Sequence, residues 1–108
     1  MSVDGWHRVE PVDVPDDGRV RSVVVGGRTV ALARCGARLG ALDNRCPHQG
    51  GPLGEGSIEK GLLRCPWHGS RFRLEDGHVT RNPAMYDQPA YDVRRSEAGG
   101  WEVRRKSA

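Results

Sequence analysis

The 108-residue sequence has no long apolar run. Its longest are Val23 to Val25 and Val30 to Ala33, far short of the about 20 residues that a membrane-spanning helix needs, so no membrane association is expected. No stretch places apolar residues at i, i+3, i+4 and i+7 for even three turns, which argues against a helical domain. Internal repeats and low-complexity tracts are also missing. Fifteen Gly and seven Pro make 22 of 108 residues, about a fifth, below the roughly 25 to 30% at which composition alone suggests disorder. The first ten residues include Asp4, Arg8 and Glu10 and lack the apolar centre and cleavage site of a secretory signal. A cytoplasmic location is the resulting expectation.

A block of one charge sign is missing as well. Seventeen basic and 14 acidic residues give a net charge of +3, and they are mixed along the chain. From Asp43 to Asn82 there are six Lys or Arg against five Asp or Glu. Such a distribution does not track a phosphate backbone, so nucleic-acid binding is not expected. Fifteen of the 17 cations are Arg, a bias that fits anion recognition or codon usage equally well. The length suits a single domain over 1–108, with a core small enough for a metal or covalent staple to help.

What the chain does contain is a series of short β-type runs. Arg19 to Val25 and Arg28 to Ala33 flank Gly26-Gly27, a pair that accepts the positive φ angles of a tight hairpin. Leu39 to Leu42 predicts a third strand. Further strands are predicted at Leu62 to Arg64, Arg71 to Leu74 and His78 to Arg81, with Asp76-Gly77 as a turn, and then at Tyr91 to Arg95 and Trp101 to Arg105 around a turn at Glu97 to Gly100. Arg104 to Ala108 is expected to fray. The reading is all-β.

Between Asn44 and Ser70 lies a section with Pro47, Pro52, Pro66 and six Gly, whose backbone is expected neither to join a sheet regularly nor to stay helical. Loops of this length are usually functional or disordered, and this one holds Cys46-Pro47-His48-Gln49-Gly50 and Cys65-Pro66-Trp67-His68-Gly69-Ser70, with sixteen residues between His48 and Cys65. Each cluster supplies one thiolate and one imidazole, a donor set that suits zinc or an iron-sulfur centre. Structural zinc sites usually pair Cys with Cys and His with His at short spacing. The mixed clusters argue against that zinc pattern and favour a metal site, with a zinc-stapled binding module as the alternative.

At these residues the sequence resembles the Rieske family, whose pattern is C-x-H, a spacer of about fifteen or more residues, then C-x-x-H. The match extends to the Pro after each Cys, to Gly69, and to the following Ser70 and Phe72. The resemblance implies an all-β fold, a sandwich of small antiparallel sheets with a cluster-binding part of about 44–75 set into a β base. It implies one 2Fe-2S cluster, with Cys46 and Cys65 on one iron and His48 and His68 on the other. Gly50, Trp67, Gly69, Ser70, Phe72 and Pro83 would surround it, Pro83 from an Arg81-Asn82-Pro83-Ala84 segment similar to the family's proline loop. Leu53 and Trp67 are candidates for packing over the cluster.

Two thiolates and two neutral imidazoles bring an oxidised cluster to zero net charge, where four thiolates would leave it doubly negative. Adding an electron is then easier, which implies a potential of about −150 to +300 mV rather than near −400 mV, with the added electron on the histidine-bound iron. In the family the outer ring nitrogens of the two histidines titrate, which implies a potential that falls toward alkaline pH. Gly51 and Trp67 stand where high-potential members carry a bridging pair of Cys. Phe72 replaces their tyrosine, while Ser70 keeps the hydroxyl that bonds a bridging sulfide. One of two potential-raising hydroxyls is thus absent, and a low to intermediate potential follows.

Cys35, the odd cysteine, is expected as a free structural thiol in a turn beside Gly36. His7 and His78 are expected as ordinary surface or strand residues. Arg45, Arg64, Arg71 and Arg73 flank the clusters, either as a solvated face or as a guide for an acidic partner. The family's oxygenase subunits also need an iron site of two His and a carboxylate on a large domain, and nothing here matches it. The resemblance therefore implies a monomeric one-electron carrier, not an enzyme, working between a flavin-dependent reductase and a terminal oxygenase for aromatic-ring or related chemistry. The alternative is a small redox subunit of a larger assembly resembling nitrite reductase or arsenite oxidase.

Overall fold

The computed structural model describes residues 5–45, 52–66, 70–74, 76–81, 90–96 and 99–105. Ten strands run through them: β1 His7–Val9, β2 Val20–Val25, β3 Arg28–Cys35, β4 Arg38–Asp43, β5 Ser57–Glu59, β6 Leu62–Arg64, β7 Arg71–Arg73, β8 Val79–Arg81, β9 Ala90–Arg95 and β10 Trp101–Arg105. They form a six-stranded sheet in the order β1-β10-β9-β4-β3-β2 and a four-stranded sheet in the order β5-β6-β7-β8. Every pairing is antiparallel. The all-β expectation holds. No helix among the described residues is long and apolar enough to cross a membrane.

The unbroken apolar run Val30 to Ala33 marks a strand covered on both faces. Val30 and Leu32 join one buried cluster with Val9, Val23, Leu39, Ala41 and Val103, whereas Ala31 and Ala33 join a second with Leu42, Leu53, Leu63, Cys65, Phe72 and Leu74. Strand alternation sends successive side chains to opposite cores. The second core fills the space between the sheets. Small side chains keep the sheets close there: a Cβ on Gly40 of β4 would stand 2.8 Å from Leu74 Cβ.

The predicted hairpins form with the expected backbone. Gly26 and Gly27 both take positive φ, 59° and 80°, between Val25 and its partner Arg28. At the β7–β8 turn Gly77 has φ 72°, and the Asp76 carboxylate accepts from the His78 N–H at 2.9 Å. Strand bounds match the expected ones at β6 and β10 and differ elsewhere by one or two residues; β3, for example, runs on to Cys35 and takes in the residue expected in a turn.

Three expectations need correction. The section 44–70 is more regular than its composition suggests, because its prolines at 47, 52 and 66 leave 53–64 clear for a 3-10 turn at Leu53–Glu55 and for β5. The β5–β6 hairpin turns through Lys60, at φ 52°, and Gly61, at φ 78°, both in the region that two-residue hairpins need. β1 is not among the strands the sequence pattern predicts; it pairs with β10 through His7↔Val103 and Val9↔Trp101. Arg104 and Arg105 do not fray, since they pair with Asp92 and Tyr91 of β9, and the Arg104 guanidinium bonds the Asp92 carboxylate at 3.1 Å.

Candidate metal centre

The second loop grows out of the β6–β7 ladder. Leu63 faces Phe72 and Arg64 faces Arg71, and the next rung is the Cys65 backbone N–H donating to the Ser70 carbonyl at 2.8 Å. Four residues, 66–69, span that rung. Alternation along the strands decides where the side chains go. Leu63 and Cys65 fall on the core side, as do Ser70 and Phe72, while Arg64 and Arg71 fall on the other. Cys65 is accordingly only 2% exposed and Ser70 fully buried, and Cys65 is in no disulfide.

The first loop is clamped at its own base. An isolated antiparallel bridge joins Arg45 to Pro52, and the Leu53 N–H donates to the Asn44 carbonyl at 2.7 Å, leaving residues 46–51 as the loop between. Asn44 organises this base from both ends of its residue. Its backbone N–H donates to the Thr29 carbonyl at 3.2 Å, and its side-chain Oδ1 accepts from the Gly54 N–H at 2.7 Å and from Ser22 Oγ at 3.1 Å. Gly54 is required by this contact, because a Cβ there would fall on Ser22 Oγ.

The two bases adjoin. Leu53, which closes the first loop, shares one buried cluster with Leu63, Cys65 and Phe72. Gly56 packs so tightly that a Cβ on it would overlap the carbonyl oxygen of Arg64, the residue before Cys65. Leu53, a candidate from the sequence for packing over the cluster, thus sits in the core beside Cys65.

Of the residues singled out from the sequence, Cys65, Ser70 and Phe72 are brought together on one buried face. Cys46, His48, Gly50, Trp67, His68, Gly69 and Pro83 lie outside the described residues. Among the described residues no three of His, Cys, Asp and Glu converge on one point. His7 lies on exposed β1 against the Gly26 turn, and His78 is exposed. Cys35 is a half-buried free thiol packed against the second core.

The flanking cations are less free than a solvated face would be. Arg64 and Arg71 both pair with Glu59, and Arg73 lies 3.5 Å from Asp76. Asn44, Gly54 and Glu59 carry structural weight that the sequence reading did not assign. Asn44, two residues before Cys46, was a visible signal for a loop anchor.

The Rieske [2Fe-2S] domain profile matches residues 5–92 of this chain. The chain belongs to the Rieske family. A ferredoxin of carbazole 1,9a-dioxygenase from Nocardioides aromaticivorans IC177 superposes with a TM-score of 0.82 at 29% identity, covering 92% of this chain and 96% of that one. A chain in the complex of reduced oxygenase and oxidized ferredoxin in carbazole 1,9a-dioxygenase superposes with a TM-score of 0.81 at 26% identity, covering 97% of this chain and 99% of that one. Apoptosis-inducing factor 3 of Homo sapiens is 33% identical over 79 residues, which are 73% of this chain and 13% of that protein. The match to this Rieske chain spans 13 to 20% of the length of the curated relatives.

The family's cofactor is a Rieske-type 2Fe-2S cluster, and it is the cofactor of this chain. The described part of the site fits it. A free, buried thiol at the closing rung of a four-residue loop is a suitable soft ligand, and the adjoining Ser70 is enclosed enough to shield such a centre from water.

Proposed function

We propose that this Rieske protein is a one-electron carrier that accepts electrons from a flavin-dependent reductase and passes them to a terminal oxygenase acting on aromatic-ring or related substrates. A Rieske cluster supplies reversible uptake of a single electron. The observation that carries the reading is likeness over nearly the whole length to ferredoxin chains of a dioxygenase system, 96% and 99% of which are covered. In this reading the chain performs no bond chemistry of its own.

Cys46 and Cys65 ligate one iron and His48 and His68 the other, in the residue-by-residue correspondence to the C-x-H and C-x-x-H motif. The chain's own contribution is to hold these ligands. The Arg45–Pro52 bridge and the Asn44 bonds fix the ends of 46–51, and the Cys65–Ser70 rung fixes the ends of 66–69. Gly50, Trp67, Gly69, Ser70, Phe72 and Pro83 enclose the site, with Phe72 as the floor between the sheets. The whole of 1–108 acts as one domain, its cluster-binding part of about 44–75 set into the β base, and it works as a monomer in the cytoplasm.

The test is iron and acid-labile sulfide per chain, with visible spectra before and after dithionite. Two irons and two sulfides with a reducible chromophore are expected, and His68→Ala is expected to lose them. A colourless protein holding one zinc and no sulfide overturns the reading. Size-exclusion chromatography of the native extract is expected to show a free monomer; co-migration with a large enzyme would make the chain a fixed subunit.

A further inference from the structure

Arg64 and Arg71 stand directly opposite each other across β6 and β7, a placement in which like charges repel. One carboxylate resolves the conflict. Glu59 Oε2 lies 3.0 Å from Arg64 Nε, and Glu59 Oε1 lies 2.9 Å from Arg71 Nη2. Each oxygen takes one guanidinium, so the triad keeps a net single positive charge.

The backbones of the two arginines flank the neck of the second loop, while their side chains lie on the face away from Cys65 and Ser70 and meet at Glu59, which faces Leu62. Arg64 precedes Cys65 and Arg71 follows Ser70, the pair whose backbone bond closes the loop. Arg71 is the more enclosed of the two, its side chain 24% exposed against 40% for Arg64. Its Nε is buried and has no hydrogen-bond partner among the described residues. A buried donor left unspent on a charged group is costly. A cation retained under that cost acts through its field on any charge that develops nearby.

We propose that the Arg71 cation, which follows Ser70 at the base of the second loop, biases the cluster toward its reduced form, and that the Glu59 carboxylate shared by Arg64 and Arg71 moderates this bias. The proposal rests on the ligand role assigned above to Cys65 and His68. Reduction brings one electron from the donor and adds one negative charge to the site. A fixed cation lowers the energy of that state, and the Glu59 carboxylate offsets part of the effect. Removing the cation and removing the carboxylate therefore act with opposite signs, and both effects shrink in high salt because the triad is partly exposed.

The experiment is a redox titration of the cluster-loaded full chain, followed by its visible spectrum, for wild type, R71Q, R71K and E59Q. R71Q is expected to raise the oxidised-to-reduced ratio about threefold at a fixed ambient potential, a fall of about 28 mV at about 59 mV per tenfold for one electron. R71K keeps the charge and is expected to stay near wild type. E59Q is expected to shift the ratio toward the reduced form. A loosened loop alone would move all three variants the same way, and that result, or an R71Q indistinguishable from R71K, overturns the proposal. If E59Q fails to assemble, the R71Q and R71K pair decides. A wild type without iron and sulfide would overturn the ligand assignment and this proposal together, whereas a loaded wild type with an unmoved R71Q overturns this proposal alone.

Discussion

The N–H of Cys65 donates to the carbonyl of Ser70 at 2.8 Å, so the rung that ends the β6–β7 ladder is also the bond that closes the second loop. Regular strand pairing thereby delivers a thiol and a hydroxyl side by side on the core face. Both are buried without any loop residue having to place them. For Cys65 and Ser70, placement comes from sheet geometry.

Ser70→Ala separates the two parts of this arrangement. The backbone rung survives the substitution, and only the buried hydroxyl is lost. Loss of one hydrogen-bonding group costs about 1 kcal/mol of stability. In the role that the family resemblance gives Ser70, its hydroxyl stabilises the more negative reduced state, so the potential is expected to fall. A redox titration checks this, and an unchanged potential with a lowered melting temperature would restrict Ser70 to packing.

Asn44→Ala attacks the other loop. The Gly54 N–H and the Ser22 hydroxyl both lose the acceptor that Asn44 Oδ1 provides. An enclosed N–H left without a partner costs about 1 to 3 kcal/mol. A lower urea midpoint is expected, with faster iron loss under chelator, because the clamp on 46–51 is what slackens. Gly54→Ala is expected to do the same by collision with Ser22. Wild-type iron retention in both would mean that the loop holds its shape without this clamp.

The sheet was largely legible because its strands announce themselves: Val30 to Ala33 as a doubly buried run, and Gly26-Gly27 and Asp76-Gly77 as turns. β1 was not, since His7-Arg8-Val9 has one buried side chain and owes its extended form to pairing with β10. β5 was hidden by the Gly and Pro around it, although Lys60-Gly61 is a fair hairpin signal in retrospect. At the site, residue types and spacing pointed to a metal centre, and the family resemblance pointed to Ser70 and Phe72. Glu59 was invisible, because its value depends on a cross-strand register that brings Arg64 and Arg71 face to face. Asn44 was legible only as the residue two before Cys46, its partners Ser22, Thr29, Leu53 and Gly54 lying 9 to 22 residues away.

Trp6 is held between two guanidiniums, with Arg94 4.0 Å and Arg104 4.5 Å from its ring centroid. Both cations are anchored by acids, Arg94 on Glu102 and Arg104 on Asp92. Each stack at a partly exposed site contributes about 0.5 to 1 kcal/mol. Trp6→Ala is expected to cost about 1 to 2 kcal/mol in chemical denaturation while leaving iron content unchanged. Loss of iron would tie this distant end of the sheet to the metal centre.

Alkaline pH is expected to destabilise the fold through Tyr91. This residue is 7% exposed in the first core, and its phenol is pushed above the ordinary 10.0, first by burial and then by the Asp43 carboxylate, against the opposing pull of Arg28 and Arg105 and a hydrogen bond with Arg28. The folded state therefore holds its proton more tightly than the unfolded chain does. Below pH 10 both states are protonated and the contribution is complete. As pH rises past about 10 the unfolded chain ionises first, and stability declines until the folded phenol also titrates. Urea midpoints at pH 8 and pH 10.5 measure this, with Tyr91→Phe as the control. The variant loses its bond to Arg28 and starts lower, but its midpoint is expected to fall less between the two pH values; an equal fall in both proteins would assign the alkaline loss to other groups.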